Sequence, residues 1–184
     1  MSDIVTVNEL ATHDPADAPT ATGERADLLE VLAKHRDFLR FTTRDLTDEQ
    51  VGRRTTASQL CLGGLIKHVA AVERTWVQFI LDGPSSMGDF TTMTEADWSR
   101  RADEFRMLAG VLADYAEVAR RTDELVVTLP DLDATQPLPK APWFESSARW
   151  SARRVLMHII AETAQHAGHA DIIRESLDGA KTMG

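Results

Sequence analysis

Toward the C-terminus, Glu162, His166 and His169 follow His158 at separations of four, four and three residues. On a helix, at about 100° per residue, Glu162, His166 and His169 fall within about 60° of one another, and His158 lies about 40° from Glu162. The same stripe carries Val155, Ile159 and Ile173, which draws the carboxylate toward the core. Burying a carboxylate is costly unless it is paired or binds a cation. Side chains four residues apart stand one turn apart, near enough to share an ion, as in zinc motifs built on two histidines at that spacing. His68 lies on a second apolar stretch, on the stripe of Leu65 and Val72, and is expected to point inward. If the two helices are neighbours, His68, Glu162 and His166 form a metal-ligand set. Two imidazoles and one carboxylate leave a coordination position open, as in a catalytic zinc site, and nickel, iron and manganese suit the same donors. His169 is placed to orient a ligand or touch substrate, and Asp171 to back a ligand from behind. Spacing alone leaves His158 or His169 as a substitute for one of the three. The competing reading is a hydrogen-bonded network of these side chains without an ion.

Other candidates surround this set. Arg153 and Arg154 precede Glu162 by about two turns and are candidates for holding an anionic substrate or cofactor, against the plainer reading of solvated charge. Trp76, Trp143 and Trp150 are candidate walls for a substrate, with core packing as the alternative. Cys61, just before Gly63 and Gly64, stands where a thiol can be activated, though a role as a small buried hydrophobe explains it more simply. His35 shares a stripe with Leu28, Leu32 and Leu39 and is a further possible ligand or a core-edge residue.

The elements that would position these residues are helices. Residues 1–22 carry Asp14-Pro15 and Ala18-Pro19 without a sustained period, which reads as an N-terminal arm containing a solvated His13. Residues 23–184 form one helical domain. A first helix spans 23–46. Thr47 and Gln50 have the spacing of a capping box. After a linker at 55–59, a second helix opens at Gly63-Gly64 and runs to about Leu81, before Asp82-Gly83-Pro84. Thr94 and Asp97 suggest a cap for a third helix, which reaches about Thr122 with Phe105, Leu108, Leu112, Tyr115 and Ala119 inward. Residues 126–147 hold Pro130, Pro137, Pro139 and Pro142, a crossover or lid with no expected strand. The fourth helix runs from about Ser147 to Asp178-Gly179. Four long helices and one long Pro-rich crossover predict an all-α four-helix bundle, in which metal sites are built from side chains facing the axis.

The chain has 184 residues and a formal charge of −9, with a pI of about 5.1. Its arginines are scattered, many in pairs such as Arg53-Arg54, Arg100-Arg101 and Arg120-Arg121, so a nucleic-acid partner is not expected. No basic start followed by an apolar run suggests a secretory signal, and no apolar run approaches the roughly 18 residues of a membrane span. With Cys61 as its single cysteine, the protein is expected to be cytoplasmic.

Two segments carry a family resemblance. Residues 63–69, Gly-Gly-Leu-Ile-Lys-His-Val, followed by Glu73-Arg74-Thr75-Trp76, resemble the second helix of the DinB-like superfamily. Residues 158–175, from His158 through Glu162, His166, Gly168, His169 and Asp171 to Glu175, resemble the fourth helix of its mini-circle branch. The resemblance extends over most of the chain from about Gly23. It implies an up-down-down-up bundle whose metal is held by one residue of the second helix and two of the fourth. The superfamily often uses three histidines, whereas Glu162 here matches the His, Glu, His pattern of mycothiol-dependent maleylpyruvate isomerase. That isomerase carries an additional C-terminal domain without counterpart here, so the resemblance favours the related thiol S-transferases, which act with mycothiol, bacillithiol or glutathione. The implied activity is transfer of a low-molecular-weight thiol, mycothiol first, to an electrophile, with zinc as the first candidate metal. A metal-dependent hydrolase and a non-catalytic metal-binding bundle are the alternatives. Homodimerisation is a further expectation from the superfamily.

Overall fold

The computed structural model describes residues 21–87 and 107–182. Most of the expected N-terminal arm with His13, the Thr94–Asp97 cap and Phe105 lie outside the described residues. Within them the chain is mostly helical: α1 (Glu24–Phe41), α2 (Asp48–Val51), α3 (Leu62–Asp82), α4 (Leu108–Thr128) and α5 (Ala152–Asp178), with strands β1 (Thr135–Pro137) and β2 (Arg149–Ser151). No helix among the described residues is long and apolar enough to cross a membrane.

Local chemistry sets the boundaries. Thr47 and Gln50 close the capping box of α2, the Gln50 N–H donating to Thr47 Oγ1 at 3.3 Å and the Thr47 N–H to Gln50 Oε1 at 2.9 Å. At the end of α3, Gly83 takes φ +71, and a Cβ there would stand 3.0 Å from Gln136 Oε1. The third long helix continues to Thr128 instead of ending near Thr122, because Val126 is buried in the core. It stops where Leu129, preceding Pro130, turns extended at ψ 124.

The Pro-rich crossover corrects the sequence reading, since it contains a short ribbon. β1 and β2 pair antiparallel with Thr135 opposite Ser151, Gln136 opposite Trp150 and Pro137 opposite Arg149. Prolines break helices but are tolerated at the end of an edge strand. The ribbon also moves the start of the last helix from Ser147 to Ala152: residues 149–151 are paired with β1, and Ser151 Oγ caps the helix by accepting from the Arg154 N–H at 3.1 Å. At its far end Gly179 adopts φ +80, the left-handed residue that closes α5.

Helix α5 packs against α1 and α3, α3 against α4, and α4 against α1. Arg153 pairs with Glu24 where α1 and α5 begin. Where they end, Arg174 donates to the carbonyls of Thr42 at 2.9 Å and Arg44 at 2.7 Å. Arg25, at the start of α1, donates to the Val126 and Leu129 carbonyls at the end of α4. Two apolar clusters fill the interior, one around Leu39, Leu65, Ile66, Val69, Tyr115 and Ile173, the other around Leu32, Trp76, Phe79, Val126, Val155 and Ile159. Along each long helix the residue between them is polar and buried: Arg36, Glu73, Thr122 and Thr163.

Candidate metal centre

Helix α5 runs without interruption between its Ser151 cap and Gly179, so His158, Glu162, His166 and His169 keep the row that their spacing requires. What brings a second helix to this row is a pair of aromatic contacts. Trp76 of α3 meets His158 of α5, ring centroids 4.8 Å apart, and His68 meets His166, also at 4.8 Å, both edge-on. Eight residues separate the contacts on each helix, so α3 and α5 pass in opposite directions in matched register. Trp76 is only 7% exposed and stacks on Trp150 of β2 at 4.9 Å with 16° between the rings. The buried tryptophan therefore anchors the register that sets His68 beside Glu162 and His166.

One ligand atom each from His68, Glu162 and His166 lie within 4.8 Å of one another. His166 Nε2 is 3.6 Å from Glu162 Oε2, and His158 Nε2 is 3.9 Å from Glu162 Oε1. Tetrahedral ligands at zinc distances stand about 3.4 Å apart, so the observed spacing is wider than a ligated set by up to about 1.4 Å, within reach of side-chain rotations. The donors suit a divalent cation of the zinc, nickel, iron or manganese group. The site departs from expectation in its exposure: His68 is exposed rather than inward, and the Glu162 side chain is 28% exposed. The set occupies a seam open to solvent, so Glu162 is less desolvated than its place on the helix stripe suggests.

Partial burial pushes all three histidines next to Glu162 below the ordinary imidazole range. For His166 burial and the neighbouring His68 outweigh the attraction of Glu162, bringing its pKa down to about 4. His68, though exposed at one edge, is lowered by the partial burial of its ring against His166, with Glu162 pulling the other way. His158 is lowered by burial, with Glu162 opposing and the Arg154 charge adding to the shift. At neutral pH these rings carry free lone pairs, the form in which imidazole binds metals.

The remaining candidates separate. His158 is outside the converging set, edge-on to both rings of the Trp76–Trp150 stack, with the Trp150 centroid 5.2 Å away. His169 Nδ1 lies 3.3 Å from His166 Nδ1. Asp171 does not back a ligand: it accepts from the Thr182 N–H at 2.7 Å and hydroxyl at 2.6 Å, tying down the segment after α5. Arg153 is engaged by Glu24 and Asp133, whereas the Arg154 guanidinium lies 4.5 Å over the Trp150 ring. His35 stands on α1 with its ring 6.1 Å from Phe38 and is not among the converging donors. Cys61 is half-buried at the start of α3, and Trp143 is exposed beside Phe144. The Arg36–Glu73 pair, absent from the sequence reading, could have been suspected from charges interrupting the apolar stripes of α1 and α3.

A family model described as mycothiol S-transferase matches residues 27–179. The chain belongs to the mycothiol S-transferase family. That span takes in every residue of the cluster and both helices that carry it, running from the start of α1 to the glycine that closes α5. No curated protein and no solved structure matches the chain.

Proposed function

We propose that this protein is a divalent-metal-dependent thiol S-transferase that joins a low-molecular-weight thiol, mycothiol first, to an electrophilic substrate. Family membership supports the transfer and its thiol, and the convergence of His68, Glu162 and His166 donors within 4.8 Å carries the metal dependence. The contacts among α1, α3, α4 and α5 favour an up-down-down-up four-helix bundle as the scaffold. When bound, the metal, zinc first, supplies positive charge that favours the thiolate form of a thiol whose free pKa is near 8.5.

The chain's own residues would have three tasks. His68, Glu162 and His166 hold the cation with neutral imidazoles and one carboxylate, leaving net positive charge for an anionic sulfur. Trp76 and Trp150 fix the His158 ring against Glu162 Oε1, which leaves Oε2 turned to His166. The exposed edge at His68 leaves a path by which thiol and electrophile reach the seam. The sulfur forms the new bond to the electrophilic carbon as that carbon's bond to its leaving group, strained ring or π system breaks; the displaced electron pair leaves with the departing group or takes a proton from solvent, and the thiol proton passes to solvent. No protein nucleophile is required: Cys61 precedes His68 by two turns of helix, roughly 10 Å.

The test is transfer of mycothiol to an electrophilic probe, followed by chelation. Activity should disappear from metal-stripped protein and return with added zinc. Full activity without metal would overturn the proposal, and turnover without added thiol would replace it with a hydrolase.

A further inference from the structure

We infer that His169 is a positioning residue for His166, fixing its ring and tautomer through a hydrogen bond between their Nδ1 atoms. The inference rests on the metal-centre reading and adds a part that the three ligands do not supply. His166 turns Nε2 toward Glu162 Oε2, 3.6 Å away, on the side where the donors converge. Its Nδ1 faces His169 Nδ1 at 3.3 Å, with the rings tilted by 57° and their centroids 5.4 Å apart. A neutral imidazole that offers the lone pair of Nε2 to a cation carries its proton on Nδ1. That N–H needs an acceptor, and residues three apart on a helix are neighbours. His169 supplies the acceptor when its own proton sits on Nε2, so one hydrogen bond sets both tautomers.

The choice of acceptor has an electrostatic consequence. Carboxylates and carbonyls commonly receive the second N–H of a metal-binding histidine. A carboxylate at 169 would add a second negative charge beside Glu162 and cancel the charge of a divalent cation. An imidazole orients His166 while leaving one positive charge to attract a thiolate.

Zinc affinity, measured by competition with a chromophoric chelator, and the cobalt absorption spectrum of the same proteins test this. His169→Ala should weaken zinc binding by roughly 10- to 100-fold, with the unfolding temperature of the metal-free protein unchanged. His169→Gln, whose amide oxygen can accept the same bond, should recover part of the affinity and the wild-type cobalt bands. Long-range proton–nitrogen spectra of the zinc-loaded wild type should show His166 protonated at Nδ1 and His169 at Nε2. An affinity in His169→Ala within threefold of wild type, the opposite tautomers, or a loss as complete as that of His166→Ala would overturn the inference, the last by making His169 a ligand. A wild-type protein that binds neither zinc nor cobalt would instead refute the metal centre itself.

Discussion

Among the described residues, two polar clusters bridge the helices, and they differ in whether their atoms are satisfied by one another. In the layer between the apolar clusters, Arg36 and Glu73 are 2% and 0% exposed and joined by paired hydrogen bonds. Arg36 Nη1 reaches Asp123 Oδ1 at 2.8 Å, and Thr122 Oγ1 donates to Glu73 Oε1 at 2.6 Å. At the seam between α3 and α5, the donors of His68, Glu162 and His166 gather within 4.8 Å of one another, the shortest carboxylate contact being 3.6 Å. The first cluster has closed on itself and offers nothing to a ligand. The second keeps three donors gathered close together with an edge in solvent. A polar group in a helical core is thus a structural brace when its bonds are complete, and a candidate ligand when several converge without bonding. Tyr115 is the exception within the braced region. Its buried hydroxyl lacks a hydrogen-bond partner among the described residues, the nearby Thr163 hydroxyl being engaged with the Ile159 carbonyl at 2.8 Å.

The contrast is open to measurement. The largest effect is expected from Glu73→Ala, which leaves Arg36 buried without its main partner and should cost about 3–5 kcal/mol in urea unfolding. Zinc affinity of the folded fraction should hardly change. Glu162→Gln should do the reverse, altering the stability of the metal-free protein by less than about 1 kcal/mol while weakening zinc binding more than the roughly 100-fold typical of a lost supporting partner. Equal destabilisation by the two substitutions would break the contrast and make the seam a structural network. The smallest effect is in pH. The His166 pKa falls from 6.5 to about 4 on folding, so between those values the unfolded chain binds more protons and stability is lost as pH falls. For one such group the slope is at most about 1.4 kcal/mol per pH unit, reduced here by partial exposure. The urea midpoint of the metal-free protein should therefore drop between pH 7 and pH 5. The zinc-loaded protein should drop more steeply, because protons then compete for the ligands. A flat profile in both would remove the electrostatic part of the argument.

Much of this was legible in the residues. The capping box at Thr47 and Gln50, the extent of α3 and the glycine that ends α5 follow from local signals, and so does the row of His158, Glu162, His166 and His169. The ribbon was not legible, because three-residue strands among prolines leave no period to detect. Nor were the partners of Arg153 and Asp171, since a half-buried arginine and an aspartate near a helix end carry no mark of the distant groups that engage them.

Glu162 and His166 were bound to share a face once the segment became helical, because backbone hydrogen bonds repeat every 3.6 residues whatever surrounds the helix. The pairing of that face with His68 was settled by tertiary structure, through the stacking of Trp76 on Trp150 that fixes how α3 slides along α5. The burial of Arg36 against Glu73 and the exposure of His68 were decided in the same way. Helix register is a property of side-chain packing between segments distant in sequence, and no spacing within one segment encodes it.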